Sequence, residues 1–179
     1  PVYPIAVRIP GFFKTVNPQW PPYLLTDTAR IAEFENMPYA WPSPDPIVMD
    51  IKTGEVPADQ PYIHRLTRLG VAAAQAGQGM AFLYEVSRTI FGGTKGWNEG
   101  AHLAEAVARA GLDLADLDAK IEADPAGYEK IIEQNEAAQN AAGHWGVPLM
   151  VFEGEPFFGQ DRIDLLVWRM QQKGLVNRA

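Results

Sequence analysis

The sequence predicts a mixed α/β domain with helices in excess, and three observations carry that reading. Residues 60–142 repeat apolar side chains at three- and four-residue steps, the rhythm of amphipathic helices. The period then changes, and residues 148–158 hold two short apolar runs around Glu153-Gly154-Glu155, a β-hairpin pattern. Helical spacing returns after Asp161. Strand end, helical block, hairpin and helix, in that order, support an α/β or α+β domain.

Element by element, Pro1-Val-Tyr-Pro-Ile-Ala-Val-Arg8 reads like the end of a strand, and the expectation is that residues precede it. Residues 1–22 are rich in proline and aromatics (Phe12, Phe13, Trp20, Pro21, Pro22), which suits an irregular, partly extended segment. Residues 24–36 are expected to form a helix with Leu24, Thr28, Ile31 and Phe34 on one face. Residues 37–50 contain four prolines and are expected to be a loop lying on the surface of the helical block.

In the helical block, Tyr62, Leu66, Leu69, Ala73 and Ala76 mark a helix broken at Gly77-Gln78-Gly79. Phe82, Val86 and Ile90 mark a second, stopping at Gly92-Gly93. A third is expected over residues 98–110. Asp113, with Asp116 three residues on, caps a short fourth. Asp124-Pro125 is a cap followed by proline at the first helical position. The helix it opens should bury Tyr128, Ile131, Ile132, Asn135 and Ala138. After the hairpin, Asp161 should cap a last helix with Ile163, Leu166, Val167 and Met170 inward.

At 179 residues, 47% hydrophobic and 21% charged, the chain has ordinary globular usage and length for one domain, or one domain with an insertion. A net charge of −7 argues against a surface that tracks nucleic-acid phosphates. With no cysteine, these residues form no disulfide, no thiolate metal site and no Cys-x-x-Cys centre. His64, His102 and His144 lack metal-ligand spacing, so no zinc site is expected, and His64 and His102 read as surface groups. No apolar run reaches the ~18 residues that span a bilayer, and no membrane partner is expected.

Two short motifs carry chemistry. Gly146-Val147-Pro148 stands before a strand, and an X-Pro bond adopts cis far more readily than other peptide bonds. Phe158-Gly159-Gln160-Asp161-Arg162 opens a helix, where free amides attract anionic groups. On spacing alone, Val147-Pro148 is an ordinary trans pair and Asp161 a plain cap with Arg162 in solvent.

Taken together, residues 143–162 (Gly-His-Trp-Gly-Val-Pro-Leu-Met-Val-Phe-Glu-Gly-Glu-Pro-Phe-Phe-Gly-Gln-Asp-Arg) resemble the C-terminal signature of the 2-hydroxychromene-2-carboxylate isomerases and their kappa-class glutathione transferase relatives. Phe13-Lys14, Asn17, Pro21-Pro22, Tyr23 and residues 27–30 resemble the same family, as do the Pro-rich loop Trp41–Pro46 and Trp97-Asn98-Glu99. The hairpin motif is specific; the middle helices are weakly diagnostic.

The resemblance implies a DsbA-like thioredoxin fold with an inserted all-helical domain: residues 1–22 and 124–179 in the thioredoxin-like part, residues 23–123 in the insertion. It implies glutathione as cofactor, bound through Val147, Pro148, Gln160, Asp161 and Arg162, with Asn17 and Lys14 as weaker candidates. Phe12, Trp41, Tyr84 and Trp97 would wall an aromatic substrate's pocket, although core packing competes for each. The family's catalytic Ser or Cys matches no residue here and is expected upstream of Pro1. A cytoplasmic homodimer is the family's expectation. Two alternatives stand beside a glutathione-dependent isomerase: a DsbA-like thiol-disulfide oxidoreductase or kappa-type transferase, and a non-catalytic binding module.

Overall fold

Proline needs no backbone donor, so it is tolerated in the first turn of a helix, where amides have no partner anyway. The first helix uses this freedom. In the computed structural model, which describes residues 1–5, 17–50, 53 and 55–176, α1 spans Trp20–Phe34 and holds Pro21 and Pro22 in its first turn. The helix therefore starts four residues earlier than the sequence suggests, inside the stretch expected to be irregular. Its expected inner face is not covered either: no residue of α1 is buried, and Phe34 is 86% exposed.

The chain divides into two units, Pro1–Ile132 and Glu133–Ala179. The first contains α1, then α2 (Ile63–Gln75), α3 (Gly79–Phe91), α4 (His102–Arg109) and α5 (Leu114–Ala123), and the start of α6 (Pro125–Ala141). Its core gathers Leu69 and Ala73 of α2, Phe82, Val86 and Ile90 of α3, Val107 of α4, Leu117 of α5, and Tyr128 and Ile132 of α6. Ion pairs rim it. Arg65 of α2 holds Asp118 of α5 through two hydrogen bonds of 3.2 and 2.6 Å. Arg109 of α4 reaches Glu85 of α3 at 2.7 Å. Such partly exposed pairs contribute roughly 0–1 kcal/mol each, so the apolar core dominates.

The helix boundaries show which local signals decide. Asp113 caps α5 by accepting the Asp116 amide at 2.8 Å, and the Asp124 carboxylate accepts the Gly127 amide at 3.0 Å at the head of α6. A cap of this kind is worth about 1 kcal/mol. The third predicted helix begins late, at His102 instead of residue 98, because Gly100 takes a left-handed φ of 56° that no helix passes through. In α6, Tyr128 and Ile132 are buried and Ile131 and Asn135 half-buried, but Ala138 is exposed.

Residues 37–50 contain no helix and only an isolated bridge, Asp50 to Glu55. They are tied down by discrete hydrogen bonds. The Ala40 amide donates to the Phe91 carbonyl, the Gly96 amide to Ser43, and the Trp97 indole N–H to Pro44, each at 2.7 Å. The buried Gln60 side chain clamps Val48, accepting its amide and donating to its carbonyl, both at 2.9 Å. The Ser43–Pro44 bond in this loop is cis.

The second unit holds the end of α6, a hairpin and a helix. Strands β1 (Leu149–Phe152) and β2 (Glu155–Phe158) pair antiparallel, with Leu149 opposite Phe158 and Phe152 opposite Glu155. Glu153 (φ 50°) and Gly154 (φ 85°) form the two-residue turn whose twist matches the strands. A 3₁₀ turn, Gln160–Arg162, leads into α7 (Ile163–Gln172). The inner face expected for α7 is not buried: Ile163 is 49% exposed, and Leu166 and Met170 are half-buried. No helix among the described residues is long and apolar enough to cross a membrane.

Candidate functional site

The chemistry-bearing residues of the second unit converge at one end of the hairpin. The Val147–Pro148 bond is cis. Beyond it, the Pro148 carbonyl accepts the Gly159 amide at 3.0 Å, which brings the loop after β2 against the loop before β1. Val147, Pro148, Gln160, Asp161 and Arg162 therefore sit around a single backbone junction. Val147 is 49% exposed, and among the described residues neither its amide nor its carbonyl has a hydrogen-bond partner.

Asp161 differs from its expected role. A 3₁₀ turn precedes α7, so Asp161 lies inside the helical run instead of capping it, and its carboxylate pairs with the adjacent Arg162 at 2.6 Å. Both side chains are more than half exposed, so the pair costs little to exchange for another partner. The amides of Gln160 and Asp161 open the run and have no preceding-turn carbonyl to bond.

The approach to Val147 is built by residues that spacing alone does not assign. The His144 ring stacks on Phe158 with centroids 3.9 Å apart and planes 20° apart, and on Trp145 at 5.6 Å and 17°. His144 Nδ1 accepts the Gly146 amide at 2.9 Å, and Gln139 Nε2 donates to the Gly146 carbonyl at 2.8 Å. Gly146 is buried against the Phe158 ring, where a β-carbon would collide. The run His144-Trp145-Gly146 before Val147 holds the signal; only the fold shows that Phe158 returns across it.

The remaining candidates fall in the first unit or outside the described residues. Lys14 and Phe12 lie outside them. The Asn17 side-chain oxygen accepts the Gln19 amide at 2.9 Å, and its carbonyl accepts that of Trp20, so it secures the head of α1. Trp41 is half exposed and hydrogen-bonds Asp45. Tyr84 is 59% exposed on α3. Trp97 is 2% exposed and meets Tyr62 edge-on at 5.7 Å. It also floors a recess of about 140 Å³ with Tyr62, Arg65 and Asn98, well below the several hundred Å³ of small-molecule sites. Its position is that of a core residue. His64 is half-buried on α2 and His102 exposed on α4. The described residues hold no cluster of three potential metal ligands.

One carboxyl in the Pro-rich loop is perturbed. Burial raises the Asp45 carboxyl above its ordinary value, against hydrogen bonds from the Ile47 amide (2.9 Å) and Trp41. A raised native pKa favours the neutral form on folding, so this group's contribution is greatest in acid and is lost as pH rises through the carboxylate range. An asparagine at this position would keep an acceptor for Ile47 without the charge. Asp45→Asn is thus expected to raise the melting temperature at pH 7, the gain fading below pH ~4; calorimetry at both pH values checks it.

A search of curated proteins finds no match. The solved structure of a 2-hydroxychromene-2-carboxylate isomerase superposes with a TM-score of 0.63 at 18% identity, covering 85% of this chain and 66% of that one. The chain thus spans about two thirds of the length of that relative, and the likeness establishes a shared fold. The profile of the DSBA-like thioredoxin domain matches residues 8–171, nearly the whole sequence. With the hairpin and its flanking helix in place, the fold is the DsbA-like thioredoxin fold, and the chain belongs to the DSBA-like thioredoxin domain family.

Proposed function

We propose that this chain is a glutathione-dependent isomerase acting on 2-hydroxychromene-2-carboxylate or a similar intermediate of aromatic breakdown. The observation that carries the reading is that Val147, an exposed residue beside Pro148, leaves its backbone amide and carbonyl without a hydrogen-bond partner among the described residues. An extended peptide adds to such an edge as a strand does, exchanging main-chain hydrogen bonds. In this reading Asp161 receives the γ-glutamyl ammonium, and the amides of Gln160 and Asp161, with Arg162, receive its carboxylate. Breaking the exposed Asp161–Arg162 pair frees both groups for this at small cost.

The chemistry is a reversible thiolate addition. Glutathione held there would supply a thiol able to add reversibly to a conjugated carbon of the ring-opened keto form of the substrate, and to leave again once the former double bond has rotated. Glutathione is not consumed. The 179 residues contain no cysteine, so none of them performs disulfide exchange.

A thermal-shift titration with glutathione tests the binding step. At a hundredfold excess over Kd the ligand should add about 2.7 kcal/mol of stability. Asp161→Ala should weaken binding by about tenfold or more through loss of a charge-assisted contact. No shift at millimolar glutathione would leave a thioredoxin-fold module without the tripeptide site. Binding without turnover of a hydroxychromene carboxylate would retain the cofactor and reject the substrate.

A further inference from the structure

The geometry points to His144 as the positioning residue of the Val147 edge, able to hold that edge only while its imidazole is neutral. This deepens the reading above, since the edge it positions is the one proposed to take the tripeptide. An imidazole nitrogen that accepts an amide hydrogen carries no proton, so the His144 hydrogen lies on Nε2. The bond from the Gly146 amide to Nδ1 (2.9 Å) fixes the residue immediately before Val147. The ring cannot swing to follow, because Phe158 lies flat against it at 3.9 Å. Nor can Gly146 retreat toward the strand, since the Phe158 ring already fills the space of a β-carbon there. Its carbonyl is held independently by Gln139.

Protonating Nδ1 sets two N–H groups against each other and leaves a buried amide without an acceptor, so the turn must open. The charged groups of the surrounding elements do not compete for this role. Glu155 of β2 pairs with Arg169 at 2.8 Å, and Asp161 pairs with Arg162 at 2.6 Å. Glu133 and Glu136 lie on the C-terminal half of α6. Carboxylates and guanidinium groups ordinarily keep their charge between pH ~5 and ~8, and imidazole does not. The other two histidines, His64 and His102, belong to the first unit.

The test follows the full chain, ¹⁵N-labelled, from pH ~7.5 to ~5.5, within the range where imidazole changes charge. The amide resonances of Gly146 and Val147 should move together with the His144 ring signals, and glutathione affinity should fall about tenfold. In His144→Asn, whose side-chain oxygen accepts an amide two residues on at any pH, both readouts should stay flat. His144→Phe keeps the stack but not the acceptor, and should bind weakly at both ends of the range. Amides that stay still while the ring titrates, or native pH dependence in His144→Asn, would overturn the inference. If native protein fails to bind glutathione at pH ~7.5, the functional proposal falls alone, because the amide titration still decides the role of His144.

Discussion

Replacing Gly146 with alanine is expected to cost the chain about 1–3 kcal/mol of stability by overpacking, and the site most of its glutathione affinity. The added methyl group would occupy the space of the Phe158 ring and crowd the edge of His144. Relief requires the Phe158 ring to leave its stack on His144, and with it the ring contact that keeps Nδ1 facing the Gly146 amide. A double-mutant cycle separates this mechanism from a general loss of turn flexibility. Shortening Phe158 to alanine makes room, so Gly146→Ala should cost little in a Phe158→Ala background, with a coupling of about 1 kcal/mol or more. Urea unfolding measures the cycle, and glutathione titration follows affinity. Additive effects of the two substitutions would show that the collision is relieved elsewhere.

That junction also shows which parts of the molecule can be read from residues alone. Asp113 and Asp124-Pro125 cap their helices as expected, because capping depends on a side chain and an amide two or three residues away. The hairpin is equally legible, since two apolar runs with Glu153-Gly154 between them specify both strands and turn. Asp161 shows the limit of the same logic. Its type and position suit a cap, but the chain reaches α7 through a 3₁₀ turn, and a shift of two residues turns a cap into a partner for Arg162. The start of α1 departs from expectation for a related reason: proline pairs read as breakers unless they fall in a first turn, and only the fold decides where that turn is. His144 and Phe158 are fourteen positions apart and meet only because β2 returns beside Pro148. Aromatic residues are the hardest to assign, because the same bulk and planarity serve a core or a pocket.

Trp97 is where that ambiguity has the largest measurable consequence, and Trp97→Ala is expected to destabilise the chain by about 3–5 kcal/mol. Its indole is 2% exposed, packs edge-on to Tyr62, and donates to the Pro44 carbonyl at 2.7 Å. Removing it opens a cavity in the helical core and unties the Pro-rich loop in one step. Since whole domains rest on about 5–15 kcal/mol, the loss should be plain as an early urea midpoint in the far-ultraviolet signal. Trp97→Phe divides the two contributions. It keeps a ring against Tyr62 but leaves the Pro44 carbonyl without its donor, so about 1–2 kcal/mol should be lost. The Gly96-to-Ser43 hydrogen bond remains as a second tether to the same loop, so the phenylalanine variant should keep its helical content while Asp45 and Trp41 become more accessible. A tryptophan that served chiefly as a substrate wall would behave in the opposite way, losing turnover in both variants with the unfolding midpoint unmoved.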